Sequence, residues 1–213
     1  MKPPSSRRPR GAQVLLGELG AVDWDMFKSN HEDAALHAAA RAVGGSPVYV
    51  SDKPGEHDAE LLRKLVLPDG SVLRAVLPGR PTRDCLFADV ARDGVSALKV
   101  WNVNRAGGAV VGAFNVQGVG WSHRGHGPDV APSPPPPVSA IVRPDDAEPL
   151  RGHVGEVAVW RHRAGALQLL PSAQTALHVE LAHREWEIFA IAPVVTVRAA
   201  APVAVRFAPI GLG

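Results

Sequence analysis

The sequence predicts an α/β layer followed by an antiparallel β-sandwich. Three observations carry this expectation: a helix–strand–helix order before residue 70, a change of apolar period at about that point, and a succession of short extended runs separated by turns to the end of the chain. The 213 residues are 46% apolar, enough to bury a core.

The opening "MKPPSSRRPRGAQ" is rich in proline and arginine and has no apolar centre. Residues 1–12 are therefore read as a disordered tail outside the fold, with an organelle transit peptide as the alternative. Asn30 is placed to cap a helix in which Asp33 faces the positive end of the dipole and Leu36, Ala39, Ala40 and Val43 recur at helical spacing. Gly44 and Gly45 stop it. "SPVYVSD" then reads as a short buried strand ending at Ser51 and Asp52. A second helical pattern carries Leu61, Leu62 and Leu65 on one face, and "LPDG" at Leu67 to Gly70 closes it with turn chemistry.

Beyond residue 70 the pattern is extended. "SALKVWNVN" and "AVVGAFNV", joined by "RAGG", form a hairpin signature, and "SAIVR", "EVAVWRH", "ALQLL", "TALHVELA" and "WEIFAIAP" read as further strands. A proline-rich stretch at about 122–138 is read as a solvated loop, because consecutive prolines lack amide donors and favour the extended polyproline form. Residues 13–69 are too few to close a parallel barrel, which needs eight strand–helix units, and too few to stand alone.

Charge and composition exclude several classes. The net charge is +2 and the basic residues are scattered apart from "RRPR", so no face for a phosphate backbone is expected and nucleic acid is not a predicted partner. The single cysteine, Cys85, has no internal disulfide partner, and the histidines lack the paired spacing of a zinc site. No metal and no cofactor are predicted. No apolar run approaches the roughly 20 residues that span a bilayer, and no secretory leader is visible. A soluble protein is expected, cytoplasmic or alternatively plastid-targeted, with no membrane partner.

The stretch from residue 21 to residue 52 places Asp23, Trp24, Asp25 and Asp52 at the ends of its elements. One reading is structural: an aspartate orders the loop before the helix, Trp24 is core, and Asp52 satisfies backbone amides. The other is that these residues line a pocket. Arg80 and Arg83 beside Asp84 read as an ion-paired corner, and Cys85, next to Leu86 and Phe87, as a small buried apolar group. Trp101, Trp121, Trp160 and Trp186 read as sandwich core or as a stacking platform. His37 and His57 show no acid partner at triad or ligand spacing.

Taken in order, "DWDMF", "HAAARAVGG", "YVSDKPG", "LLRKLVLPDGSVLRA", "LPGRPTRDCLF", "RDGVSALKVWNVN", "GAFNVQGVGW" and "FAPIGL" resemble the C-terminal third of the raffinose synthase and seed imbibition protein family. That family includes galactinol–sucrose galactosyltransferases and alkaline α-galactosidases. The resemblance implies the C-terminal end of a (β/α)8 TIM barrel in residues 13–69, followed by a C-terminal β-sandwich in residues 70–213. It implies small-molecule sugars as partners: galactinol, sucrose and raffinose-type α-galactosides. Oligomeric state is left open.

In the family the nucleophilic aspartate follows a Lys-x-Asp pattern and the acid/base aspartate lies in Asp-Asp-Phe. Neither pattern occurs in these 213 residues. Retaining transfer needs two carboxylates roughly 5 Å apart, so no catalytic residue is assigned and an inactive isolated fragment is expected. The alternatives are an alkaline α-galactosidase fragment and a non-catalytic carbohydrate-binding or scaffold remnant. On the resemblance, Asp23 and Asp25 accept hydrogen bonds from sugar hydroxyls, Trp24 offers an apolar face to the ring, and Asp52 lines the same pocket.

Overall fold

A run of six apolar residues, "AVVGAF", sits at the centre of a sheet with two buried faces. The computed structural model describes residues 15–118, 121–122, 127–128, 135–198 and 204–211. The predicted tail at 1–12 and most of the predicted loop at 122–138 lie outside the described residues.

The main sheet is antiparallel throughout and six-stranded, built from β1 (Arg80–Pro81), β2 (Leu98–Val103), β3 (Ala109–Phe114), β7 (Val157–Arg161), β8 (Ala166–Leu170) and β10 (Trp186–Pro193). Its order is β1-β2-β3-β10-β7-β8. The β2–β3 hairpin pairs Trp101 with Val111, and β10 continues the sheet with Phe189 opposite Val111. Because side chains alternate, Ala109, Val111 and Ala113 enter one core while Val110 and Phe114 enter another. Continuous burial along β3 is the expected pattern for a strand covered on both sides.

Each face has its own cover. The first is covered by the two-stranded ribbon of β6 (Val138–Val142) and β9 (Leu177–Leu181), whose alternate residues Val138, Ala140, Val142, Leu177, Val179 and Leu181 point inward. The second is covered by helix α1 (Ala34–Gly44), whose Ala39 and Val43 pack on Val100, Val110, Phe114 and Ile188. Two smaller ribbons pair β4 (Trp121–Ser122) with β5 (Gly127–Pro128), and β11 (Val195–Arg198) with β12 (Ala204–Phe207).

Helix α1 is apolar on two sides. Ala34, Ala38 and Ala42 turn away from the sheet toward Phe27 and Leu65. There Phe27 and Val50 form an isolated parallel bridge, with Phe27 N donating to Tyr49 O at 3.3 Å and Ser51 N to Phe27 O at 2.9 Å. The order is strand-like segment, helix, parallel strand-like segment. Alanines keep the helix thin enough to lie between these layers.

The helix stops where the sequence expects. Gly45 has φ 66, and a Cβ there would stand 2.1 Å from Leu77 O, so only glycine fits. Asn102 on β2, fully buried, closes the junction: its Nδ2 donates to Val43 O at 2.7 Å and its Oδ1 accepts from Leu77 N at 2.9 Å.

Several expectations need correction. The helix begins at Ala34, with Asp33 rather than Asn30 at the cap position, because turns closed by His31 N to Lys28 O and Ala34 N to His31 O occupy the preceding residues, where Asn30 Nδ2 donates to Glu56 O at 3.1 Å. "SPVYVSD" contributes a bridge rather than a buried strand, and Tyr49 is 36% exposed. The left-handed φ of 67 at Asp25 breaks the partner segment just before Phe27, which leaves little extended backbone to pair. The second helix, α2 (Ala59–Arg63), is shorter than its leucine pattern, and "LPDG" instead turns a small hairpin closed by a Val66–Val72 bridge. The Arg80–Arg83–Asp84 corner is ion-paired differently: Arg80 pairs with Glu18 and Glu148, while Asp84 pairs with the buried Lys99 at 2.8 Å. Trp101 is buried and Trp186 half-buried, but Trp160 is 37% exposed. The side chain of Trp121 lies outside the described residues. Among the described residues no helix is long and apolar enough to cross a membrane.

Candidate functional site

The acidic turn at residues 23–25 is organised by a buried cation. Arg41 projects from the last turn of α1 and is 2% exposed. A guanidinium taken out of water must have its N–H groups met. Its Nη2 donates to Asp25 O at 2.7 Å and Trp24 O at 3.0 Å, its Nε to Asp25 O at 3.3 Å, and its Nη1 to His37 O at 3.1 Å. The Phe27 ring lies 4.8 Å away, within cation–π range. The carbonyls of Trp24 and Asp25 converge on one nitrogen around the left-handed turn at Asp25.

This clamp sets the three side chains. Asp23 is locked locally: Oδ2 accepts from Tyr49 Oη at 2.6 Å and Oδ1 from Asp25 N at 2.8 Å. The Tyr49 hydroxyl and then the Asp25 amide hold the Asp23 carboxyl below its ordinary value, and the same contact pushes the Tyr49 phenol up. Asp25 is exposed, and its Oδ1 accepts from Met26 N at 2.8 Å. Trp24 is half-buried, its ring lying over Gly44 so closely that a Cβ there would stand 2.9 Å from the ring carbons.

Asp52 stands in a second cluster, and its side chain is 0% exposed. Ser29 N donates to Oδ1 at 2.8 Å and Ser29 Oγ to Oδ2 at 2.5 Å, while His57 Nδ1 lies 3.1 Å from Oδ2. Ser29 Oγ in turn accepts from Asp58 N at 2.7 Å. Burial pushes the Asp52 carboxyl up, but the bonds from Ser29 and His57 outweigh it and hold the group below its ordinary value. His57, which shows no acid partner in the sequence, therefore has one in the fold.

The structure brings Asp23, Trp24 and Asp25 together and sets Asp52 apart. Asp23 to Asp25 precede the bridging residue Phe27, whereas Asp52 follows Val50. Of the four residues expected at the ends of elements, Asp52 thus follows its strand-like segment, whereas Asp23 to Asp25 come before theirs. His37 stacks on Phe27 at 6.2 Å and faces Arg41; burial first, and then the Arg41 charge, lower its pKa to about 4.

Sequence reasoning missed Arg41, Tyr49, Ser29 and the role of His57. Arg41 was detectable in principle: Ala34, Ala38 and Arg41 fall at i, i+4 and i+7 on the buried stripe, where a cation is out of place. Ser29 and Tyr49 carry no such signal. Cys85 is 3% exposed and beside Thr82 Oγ1 at 3.3 Å, as a small buried group.

Two other features lie apart from these residues. His31, Glu32 and Asp33 could converge on an ion, but Arg184 occupies both carboxylates, at 2.5 Å from Glu32 and 3.4 Å from Asp33. A groove of about 420 Å³ runs between Glu18, Leu19, Gly45, Arg74 and Arg105 and includes none of the four candidates.

Comparison with known proteins shows the family of this chain. A model of the family described as raffinose synthase or seed imbibition protein Sip1 matches residues 11–213. "Probable galactinol–sucrose galactosyltransferase 1" of Arabidopsis thaliana is 48% identical over 204 residues, covering 93% of this chain and 26% of that protein. Galactinol–sucrose galactosyltransferase of Oryza sativa subsp. japonica is 47% identical over 201 residues, 93% of this chain and 25% of that one. Stachyose synthase of Pisum sativum is 37% identical over 207 residues, 93% and 24% respectively. The chain spans about a quarter of the length of these relatives.

Among solved structures, a β-L-arabinopyranosidase from Geobacillus stearothermophilus superposes with a TM-score of 0.54 at 13% identity, over 85% of this chain and 39% of that one. α-Galactosidase I from Mortierella vinacea gives 0.50 at 12%, over 80% and 39%. At these identities the likeness is one of fold, a mostly sheet structure shared with part of each enzyme. With the family model matching nearly the whole length and relatives approaching half identity, the chain belongs to the raffinose synthase and seed imbibition protein family.

Proposed function

We propose that this chain is the sugar-contacting C-terminal part of a galactosyl-transferring protein, in which galactinol donates galactose to sucrose. Residues 13–69 supply the last strand–helix units of a (β/α)8 barrel, and residues 70–213 the β-sandwich that buttresses them. Support comes from the parallel Phe27–Val50 bridge with α1 as its crossover, and from the packing of α1 onto the sheet.

The observation that carries the sugar assignment is the clamped turn. Asp25 is held in a left-handed conformation, exposed, by a buried arginine that donates to the main-chain carbonyls of Trp24, Asp25 and His37 and also meets His37 Nδ1 at 3.4 Å. A strained residue over-determined by its surroundings is a common feature of ligand sites. Asp25 and Asp23 accept from sugar hydroxyls and Trp24 lends a ring face, while Asp52 holds the separate Ser29–His57 cluster that follows the bridge. The proposed substrates are galactinol, sucrose and raffinose-type α-galactosides.

Chemistry requires two opposed carboxylates, and the family's Lys-x-Asp and Asp-Asp-Phe patterns do not occur in this sequence. Binding without turnover is therefore the activity proposed for these 213 residues alone. Calorimetric titration with galactinol tests the reading: saturable binding, weakened about tenfold in Asp25→Ala, supports it, and equal binding by the variant refutes the assignment of Asp25. A second reading, hydrolysis of α-galactosides by the longer protein, draws on "VSDKPG" and "LPGRPTRD", which look more like the alkaline α-galactosidase branch.

A further inference from the structure

The pair Asp52–His57 is built with more care than a loop staple requires. The side chain of Asp52 is covered, and each of its oxygens is already engaged, by the amide and hydroxyl of Ser29 and by His57 Nδ1. A carboxylate so enclosed has no reach toward a ligand. It can instead fix its neighbour. An ionised carboxylate only accepts hydrogen bonds, so a neutral His57 must carry its proton on Nδ1, which leaves Nε2 as an acceptor. The His57 side chain is 46% exposed.

The surroundings hold the pair from several sides. Ser29 is 1% exposed and relays the hydroxyl network to the backbone by accepting from Asp58 N. Asn30 Nδ2 pins Glu56 O at 3.1 Å, so the segment from Asp52 to Asp58 is tied at Asp52, Glu56 and Asp58 and presents His57 between the ties. The segment leaves the parallel bridge just after Val50, on the side where ligands meet parallel strands.

We propose that His57, and not Asp52, is the ligand-contacting residue of this cluster: its Nε2 accepts a hydrogen bond from a hydroxyl of a bound galactoside, and Asp52 is a positioning residue that selects the tautomer. The inference rests on the sugar-binding reading given above.

Ring ¹⁵N NMR of the 213-residue chain, with and without methyl α-D-galactopyranoside, tests it. The expected result is an Nδ1–H tautomer in the free protein, an Nε2 resonance that moves saturably with the sugar, and binding weakened about fivefold to tenfold in His57→Ala. Asp52→Asn is expected to lose the Nδ1–H preference and to weaken binding to a similar extent. An Nε2–H tautomer overturns the inference, even if Asp52→Asn fails to fold. So does a titration in which the Trp24 indole Nε1 resonance shifts while the His57 ring stays still, an outcome that leaves the sugar-binding reading standing. Absence of any shift overturns both.

Discussion

Arg41 Nη2 lies 2.7 Å from Asp25 O, and through that contact a helix on the sheet side of the molecule fixes the shape of an exposed acidic turn. The same nitrogen reaches Trp24 O at 3.0 Å. Lysine keeps the charge but cannot present the planar fork that meets Trp24 O and Asp25 O with one nitrogen and His37 O with another. Arg41→Lys is expected to cost about 2–3 kcal/mol, from lost charge-assisted bonds in a dry site. Urea denaturation measures this, and a change below about 0.5 kcal/mol contradicts the clamp.

Asp25 separates strain from function. In a left-handed conformation a residue with Cβ costs roughly 1 kcal/mol relative to glycine, so Asp25→Gly is expected to match or exceed the parent in stability while losing sugar affinity. Asp25→Val, branched at Cβ, is expected to lose more than about 1 kcal/mol. Thermal melts of the two variants, set against their titrations, check both halves.

His37 introduces acid sensitivity. Its folded pKa of about 4 lies below the ordinary 6.5, because burial and then Arg41 disfavour the charged ring. Above 6.5 both folded and unfolded chains hold it neutral, and its contribution is fully present. As pH falls from 6.5 toward 4 the unfolded state takes up the proton first, and stability drops by an amount on the order of 2 kcal/mol. Replacing His37 by Gln is expected to flatten unfolding free energy against pH over this window; an unchanged slope assigns the sensitivity elsewhere.

Gly79 reports on the union of helix and sheet. A Cβ there would stand 2.8 Å from Val100 Cγ1 and 2.9 Å from Gly44 Cα. One of these neighbours is backbone and cannot yield by rotation. Gly79→Ala is expected to destabilise by about 1–3 kcal/mol, measured by denaturant unfolding. A neutral result means that α1 and β2 are not pressed together as described.

Much of the fold is legible in the residues because burial writes a period into them. "AVVGAF" reads as a strand, and its unbroken apolar run matches burial on both faces; "TALHVELA" reads as another, whose Leu177, Val179 and Leu181 prove buried in alternation with exposed His178 and Glu180. The hairpin at "RAGG" follows from turn chemistry. What stays hidden is set by partners distant in the chain. Nothing near Ser29 announces that it will lie beside Asp52, twenty-three positions on, or that Tyr49 will reach back to Asp23. Asn30, a good cap by type, instead lies in the turns that precede the helix, where its Nδ2 donates to Glu56 O. Trp160 misleads for the opposite reason, since an aromatic on a strand tells of a face but not of what covers it.

On the reading proposed for Asp23, Trp24 and Asp25, this stretch of the family holds sugar and does not cleave it. Incubating the purified 213-residue chain with galactinol and sucrose, and separating the products by chromatography, tests that claim most directly. No raffinose and no free galactose above the protein-free control is the predicted result. Formation of either, lost on substitution of Asp25, would contradict it and move the catalytic carboxylates into the turn that Arg41 holds.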